Sequence, residues 1–217
     1  MHRMPLRVIM RSITQGSSAV YREVLLTVTT SNLVRWGAAG FVLSGVIWIV
    51  AGFIAAFTNP ILSLGLVFYY LVLVIVARLL LGLGVVGLHT LQEGRYFGSL
   101  GRAGFYTILG ALAAQILGAL GSLAGIQALG WLISPVGLLV LIVGFVLFGV
   151  ASLQARVLPG WYSILLIIFV PVSAVLGFVE LGYIGNIVLG VLLLVLGFVL
   201  WQQGEALAEP QPPRRVV

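Results

Sequence analysis

The 217-residue chain has no cysteine, no lysine and no aspartate. Without cysteine it can form neither disulfides nor thiolate-ligated zinc sites, and it has no thiol nucleophile. Without lysine it has no Schiff-base residue and no phosphate-binding loop of the kind that ends in Gly-Lys-Ser/Thr. Proton relays and metal sites built on aspartate are excluded as well. Several common routes to catalysis are therefore closed, and we expect no cofactor.

Charge is scarce in the whole chain. Only 7% of the residues are charged and 61% are hydrophobic, and the mean hydropathy is +1.22. A soluble domain carries roughly 25% charged residues, so most of this surface cannot face water. The formal net charge of +6 comes from arginines whose positions fit orientation in a membrane. We therefore expect the lipid bilayer as the main partner and no nucleic acid.

Six apolar runs are separated by short polar or proline-containing turns. A membrane crossing needs about 20 apolar residues, and these runs are close to that length or longer. The sequence thus predicts an all-α, polytopic membrane protein with six transmembrane helices in a compact bundle. The predicted spans are 37–57, 61–91, 105–124, 131–153, 161–179 and 184–201.

Polar segments flank this membrane domain, which we place at residues 36–203. The N-terminal segment 1–35 lacks the pattern of a signal peptide. Within it, Ala19–Thr30 is too short to span and is predicted either to lie in the membrane interface or to pair with a cytoplasmic partner. Ser31 and Asn32 are predicted to cap the first long helix. The proline-rich tail 204–217 is predicted to be disordered.

The arginines alternate between the two sides of the predicted membrane. They occur in the N-terminal segment, at 78–102, at Arg156 and in the tail, whereas the turns at 58–60, 125–131 and 180–183 contain none. Positively charged loops stay in the cytoplasm. The pattern therefore predicts a plasma (inner) membrane protein with both termini in the cytoplasm. Arg78 is the exception, because it lies within the second apolar run.

The chain can also be divided into three helical hairpins with related joints. Each even-numbered span ends in Gly-x-x-x-x-Gln, and each odd-numbered span opens with an aromatic residue beside glycine. Two interpretations stay open: a threefold hairpin repeat, or the separate preference of Trp and Gln for membrane interfaces in a glycine-rich chain. The three motifs are Gly87–Gln92, Gly149–Gln154 and Gly197–Gln202.

Stripes of small residues predict where the helices pack. Helices associate in lipid through close backbone approach, which glycine, alanine and serine allow. We predict helix seams at these stripes, in preference to ligand grooves. They comprise Gly110, Ala114, Gly118 and Ser122 in the third span, Gly130, Gly137, Gly144 and Ala151 in the fourth, and Gly190, Gly197 and Gly204 in the sixth.

Arg78, His89 and Glu93 are the first candidate functional residues. On a continuous helix Arg78 and His89 share one face, and Glu93 follows His89 by one turn. One interpretation is a charged strip for anion or proton handling, because charges inside membranes are usually functional. The favoured interpretation is that Arg78 snorkels to cytoplasmic phosphates while His89 sits at the interface.

Gln115 and Glu180 complete the candidates. Gln115 is the amide near the middle of the third span, and its expected role is a hydrogen bond between helices. Glu180 is the one carboxylate on the predicted external side, near Asn186 in the chain. It could bind a cation or a proton, but a solvated helix end is the preferred interpretation. We predict no catalytic residue and no metal ligand.

The turn with Arg156, Leu158, Pro159 and Trp161 matches an Arg-x-Leu-Pro-x-Trp-like pattern. In this turn and in its layout the chain resembles uncharacterised six-helix bacterial integral membrane proteins of about this length. The resemblance implies the same architecture and carries over no functional residue.

These observations favour a non-enzymatic accessory or sensing protein that acts through helix packing, with itself or with another membrane protein. The alternative is a small transporter or channel for a hydrophobic or weakly charged solute. A lipid-modifying enzyme ranks third, because two histidines and five scattered glutamates offer no acid–base constellation.

Overall fold

The computed structural model describes residues 6–57, 64–93, 98–156, 159–178 and 182–208. These residues form six α-helices, as the sequence predicts. The helices are α1 (Leu6–Phe57), α2 (Leu64–Glu93), α3 (Gly98–Leu123), α4 (Gln127–Ala155), α5 (Gly160–Phe178) and α6 (Gly182–Ala208).

Five helices contain segments that are long and apolar enough to cross a membrane: Thr30–Phe57, Phe68–Glu93, Gly98–Leu123, Pro135–Ala155 and Tyr183–Ala206. The remaining helix, α5, has 19 residues. At a rise of about 1.5 Å per residue it is about 28 Å long, close to the roughly 30 Å hydrocarbon core of a bilayer. The chain is a multi-pass helical membrane protein.

The helices form a ring in chain order, which α1 closes by packing on α6. Neighbours in the ring run antiparallel, so the ends of the bundle alternate along the chain. We call the end that carries Arg35, Arg102 and Arg156 the arginine end; the turn at 124–126 lies at the opposite end. Contact is most extensive between α1 and α6 and least extensive between α2 and α3.

Apolar side chains from all six helices fill the centre of the ring. They form one continuous cluster, in which aromatic rings from α1, α4 and α5 meet leucines from α2 and α6. The largest members are fully buried: Tyr162, Phe41, Phe145, Phe148, Leu88, Leu193 and Leu196. A bundle packed in this way has its polar groups between helices, because the centre is apolar.

Glycine brings α1 into backbone contact with both of its neighbours. A Cβ atom built on Gly37 would lie 2.5 Å from the Cα of Gly87 on α2. On another face of α1, a Cβ on Gly45 would lie 2.6 Å from the carbonyl oxygen of Gly190 on α6. No side chain fits at these distances, so α1 depends on glycine at both seams.

The predicted seams in α4 and α6 are confirmed. Gly137 packs on Gln115, Gly144 packs on Ile108, and Gly190, Gly197 and Gly204 all pack on α1. Gly130 lies among residues whose side chains are outside the described set.

The predicted seam in α3 is wrong at Gly110. A Cβ built there would meet nothing within 4 Å, whereas Gly104, six residues earlier in the chain, packs on Phe148. The packed face of α3 includes Gly104, Ile108, Ala111 and Gln115, together with Gly118, which belongs to the predicted stripe and is buried. Spacing alone could not distinguish this face from the stripe beginning at Gly110, because both contain small residues.

Helix α1 runs without interruption through the predicted boundary at residues 35 and 36. The prediction that Ser31 and Asn32 cap its start is therefore wrong. The hydroxyl of Ser31 donates to the carbonyl oxygen of Gly204 on α6, at 3.2 Å. The Ser31 hydroxyl therefore bonds to another helix and does not cap its own. The segment 19–30 is part of one 52-residue helix.

Two further expectations change at the arginine end. Helix α6 continues through Gly204 to Ala208, so the predicted disordered tail begins too early, and residues 209–217 lie outside the described set.

The three glutamines of the hairpin motif also differ: Gln92 is fully buried, whereas Gln154 and Gln202 are exposed. The motif therefore does not mark one repeated structural role.

The glycine contact between α1 and α2 can be tested with Gly87→Ala. The added methyl group would overlap the backbone of Gly37, and overpacking of this kind destabilises by about 1–3 kcal/mol. The free energy of unfolding in mixed micelles or bilayers measures the effect. Gly110→Ala is the matched control and should leave it unchanged, because its methyl group enters open space. Equal effects of the two variants would contradict the packing of α1 on α2.

Candidate functional site

Arg78 lies near the middle of the apolar segment Phe68–Glu93 of α2. It stands 15 residues before Glu93, which corresponds to about 22 Å along the helix. Its Nη1 atom donates to the backbone carbonyl oxygen of Gln115 on α3, at 3.4 Å. The guanidinium group is thus held between α2 and α3 at mid-span.

This placement corrects the interpretation that Arg78 snorkels to cytoplasmic phosphates. Side chains on an α-helix incline towards its N-terminus. Because α2 begins at the opposite end of the bundle, Arg78 leans away from the arginine end, which is also too distant for its side chain to reach. The charge therefore lies inside the span.

Arg78 is also poorly compensated. Its Nε atom is buried without an acceptor among the described residues, and none of their carboxylates lies within 4.0 Å of its nitrogen atoms. Its one hydrogen bond to a described residue is the long contact with Gln115. A charge at mid-membrane depth is costly and normally has a partner, so this arginine has capacity to bind an acceptor group.

Tyr70 and Asn186 extend the polar region towards the opposite end. The Nδ2 atom of Asn186 on α6 donates to the hydroxyl of Tyr70 on α2, at 3.5 Å. Tyr70 is two turns from Arg78 on the same helix, about 12 Å along its axis. We call the contact of Arg78 with Gln115 the mid-span cluster; the pair of Tyr70 and Asn186 lies nearer the opposite end.

Gln115 contacts the neighbouring helix α2 through its backbone, although the sequence predicts a hydrogen bond from its side-chain amide. Its carbonyl oxygen receives the bond from Arg78, whereas its side chain is buried against Gly137 on α4. The Nε2 atom has no acceptor among the described residues. The expected contact between helices is present, but the backbone makes it and the amide keeps unused donors.

His89 lies towards the arginine end. Its ring stacks on Phe105 of α3, with centroids 3.9 Å apart and planes at 13°, and its Nε2 atom is 3.9 Å from Oε2 of Glu93. Arg78 and His89 both contact α3, so the prediction that they share a face is confirmed. They are eleven residues apart, or about 16 Å along the helix, and do not form one site.

Glu180 lies outside the described residues. The candidates therefore separate into two groups. Arg78 and Gln115 meet in the mid-span cluster, and His89 and Glu93 form a contact near the end of α2.

The contact between Gln92 and Ser152 is one of several buried polar contacts that the sequence did not predict. The Nε2 atom of Gln92 on α2 donates to the hydroxyl of Ser152 on α4, at 2.7 Å, and Ser152 donates in turn to the carbonyl oxygen of Phe148. In the sequence, Gln92 stands out only as the last residue of the first Gly-x-x-x-x-Gln motif. The available signal was a glutamine at the end of an apolar run, and nothing in the sequence names its partner.

Among the residues that the structure describes, the buried side-chain atoms without a partner at mid-span are all donors. They are Trp48 Nε1 on α1, Arg78 Nε on α2 and Gln115 Nε2 on α3. N–H groups can hold an anion or another acceptor, but they cannot act as general bases at neutral pH. The arrangement is suited to binding and gives no support to acid–base chemistry.

The contact between Gln92 and Ser152 predicts a stability effect. Ser152→Ala removes the acceptor and leaves a buried amide donor unpaired, which should destabilise the protein by about 1 kcal/mol. The free energy of unfolding measures this, and Gln154→Ala, at the exposed glutamine of the second motif, should not change it. A Ser152→Ala protein as stable as the unsubstituted chain would show that the bond is not formed.

Comparisons of the chain with protein-family models, with curated proteins and with solved structures found no match.

Proposed function

We propose that this chain is a non-enzymatic accessory or sensing protein of the bacterial plasma membrane, with six crossings and both termini in the cytoplasm. The observation that carries the proposal is the use of the polar side chains. Inside the bundle they connect one helix to another, around an apolar centre.

Four contacts illustrate this use, in addition to that of Arg78. Ser44 bonds to the carbonyl oxygen of Ala77 and joins α1 to α2, and Gln92 bonds to Ser152 and joins α2 to α4. Tyr162 bonds to the carbonyl oxygen of Leu196 and joins α5 to α6, and Asn186 bonds to Tyr70 and joins α6 to α2. Contacts of this kind specify how helices associate in lipid. They support a function based on the arrangement of the helices.

The orientation has its own support. Arg35, Arg102 and Arg156 lie at one end of the bundle, whereas the turn at 124–126 at the opposite end carries no charge. Positively charged ends of membrane bundles face the cytoplasm.

The absence of cysteine allows a direct test of this orientation, since a single introduced cysteine is the sole target for labelling. A membrane-impermeant maleimide should label Ala124→Cys in intact cells and should label Gln202→Cys only after permeabilisation. Both parent residues are exposed, so access to the reagent decides the result. The reverse pattern would contradict the orientation.

The alternative function is a small transporter or channel. It is favoured by one observation, the uncompensated charge of Arg78 at mid-span, because charges at this depth often mark solute pathways.

Flux through proteoliposomes separates the two functions. For the accessory or sensing function, efflux of chloride and acetate should equal that from protein-free liposomes, and Arg78→Leu should not change it. Arg102→Leu, which removes a charge at the arginine end, is the matched control. Flux that exceeds the protein-free rate and falls in Arg78→Leu would overturn the proposal and support a transporter.

A further inference from the structure

We propose that the seam between α2 and α3 docks a transmembrane helix of another membrane protein, which carries a glutamate or aspartate at mid-span to pair with Arg78. The inference rests on the accessory part of the proposed function, for which it names the class of partner. Its basis is a mid-span charge without a countercharge, at the seam of the ring with the least extensive contact.

Arg78 carries a charge that the described part of the chain does not neutralise. Its hydrogen bond to the carbonyl oxygen of Gln115 is 3.4 Å long, its Nε atom is buried without an acceptor, and no described carboxylate lies within 4.0 Å of its nitrogen atoms. A backbone carbonyl accepts a hydrogen bond but carries no countercharge. An ionised group inside a membrane normally pairs with another, so Arg78 lacks the partner that its depth requires.

The guanidinium group is accessible at the lipid side of the seam. A helix turns by about 100° per residue. Arg78 therefore lies on the circumference of α2 between Leu81, which is buried, and Leu79, which is exposed. Arg78 itself is half-buried, and packed apolar side chains fill the centre of the ring. The open part of Arg78 thus faces outwards, where a neighbouring helix can meet it.

The seam beside Arg78 has room for a side chain of the partner. Gly82 is one turn further along the same face of α2, and among the described residues a Cβ built on it would meet only the Cδ1 atom of Leu112, at 3.7 Å. On the side of α2 that faces α1, a Cβ on Gly87 would lie 2.6 Å from the Cα atom of Gly37. A carboxylate side chain can therefore enter between α2 and α3 but not between α1 and α2.

Ala113 on α3 lets a partner helix approach at the level of Arg78. Leu112 faces α2, because its Cδ1 atom is 3.7 Å from the Cβ position of Gly82. Ala113 is about 100° further round α3 and is exposed, so it lies on the lipid side of the seam. It precedes Gln115, whose carbonyl oxygen bonds to Arg78, by two residues, or about 3 Å along the helix. A small residue at this position allows close backbone approach.

A second copy of this chain cannot supply the carboxylate. The chain has no aspartate and five glutamates, all of which lie in the sequence at the ends of the apolar runs or beyond them. Glu93, the last residue of α2, is about 22 Å along the helix from Arg78. A countercharge at mid-span must therefore come from a different protein. The five are Glu23, Glu93, Glu180, Glu205 and Glu209.

Depth favours a carboxylate on a helix over other anionic groups. Lipid phosphates lie at the ends of the span, outside the hydrocarbon core. A free anion would have to leave water and cross apolar side chains to reach Arg78, whereas a transmembrane helix carries its carboxylate to this depth when it inserts. The planar guanidinium and carboxylate groups can then form two parallel, charge-assisted hydrogen bonds.

A designed peptide tests the docking in liposomes. The probe is a helix of about 21 leucine and alanine residues, with glutamate at its centre, lysines at its ends and a donor fluorophore. The matched peptide has glutamine in place of glutamate. The acceptor fluorophore is attached to Gln202→Cys, at an exposed position of a chain that otherwise has no cysteine.

Energy transfer should saturate with the glutamate peptide, at an apparent affinity at least about tenfold higher than that for the glutamine peptide. Arg78→Leu should abolish this difference, because the charge that recognises glutamate is absent. Arg102→Leu, which removes a charge at the arginine end, should retain it.

Ala113→Phe is a test that keeps the charge, in case Arg78→Leu fails to fold. The larger side chain extends into the docking surface, so the affinity for the glutamate peptide should fall by about tenfold. The thermal unfolding midpoint of the protein should not change, because Ala113 is exposed. Ala55→Phe, at an exposed alanine of α1, is the matched control and should leave the affinity unchanged.

Each outcome has a distinct meaning. Equal affinity for the two peptides, or a preference for glutamate that persists in Arg78→Leu, would overturn the docking proposal and leave the accessory function standing. Energy transfer between differently labelled copies of the chain that Arg78→Leu abolishes would assign the seam to a second copy and overturn the proposal too. Glutamate-specific binding together with Arg78-dependent flux of chloride or acetate would keep the docking surface and overturn the proposed function.

Discussion

Close backbone approach of α1 to its two neighbours is the constraint on which the rest of the bundle depends. Lipid gives helices no hydrophobic reason to associate, so packing at short distance must supply the attraction. Glycines on two faces of α1 provide it, at Gly37 against α2 and at Gly45 against α6. With α1 placed against both helices, the ring closes between the first and the last helix of the chain.

The closure of the ring also brings polar residues of different helices into contact. The antiparallel ring brings Tyr70 of α2 to Asn186 of α6 and Gln92 of α2 to Ser152 of α4, although these pairs are far apart in sequence. It also holds Arg78 against α3, at the pair of neighbouring helices with the least extensive contact. The charge is accommodated where packing is loosest, because a guanidinium group needs more room than a glycine seam allows.

Much of the architecture could be predicted from the chain. The six helices, the turns near residues 125 and 156, and the seams at Gly144 and Gly197 all follow from hydropathy, breaker residues and small-residue spacing. The shared face of Arg78 and His89 follows from helical periodicity. The predictions were wrong where one local sequence pattern is compatible with two structures. Ser31 is an example, because its hydroxyl can cap a helix or bond to a neighbouring helix.

For the same reason, the sequence predicted residues of the candidate site but not their contacts. Arg78 and Gln115 stand out by being polar in apolar runs, but their contact depends on the relative depth of α2 and α3. Trp48 gave no signal, because tryptophan is common in membrane helices and only its neighbours reveal an unpaired indole N–H. Gln92 and Ser152 join helices that are not adjacent in the chain, and no local pattern encodes such a pair.

By itself, the sequence determined that this is a helical membrane protein. It also determined where the helices turn and which chemistries the chain cannot perform. These properties follow from hydropathy and composition, to which each residue contributes independently of the fold. The tertiary structure decided which small residues form seams, that α1 continues through its expected start, and that Arg78 lies between helices at mid-span. Those properties depend on the depth and rotation of one helix against another. They are set by backbone contacts such as that of Gly37 with Gly87, between residues distant in the chain.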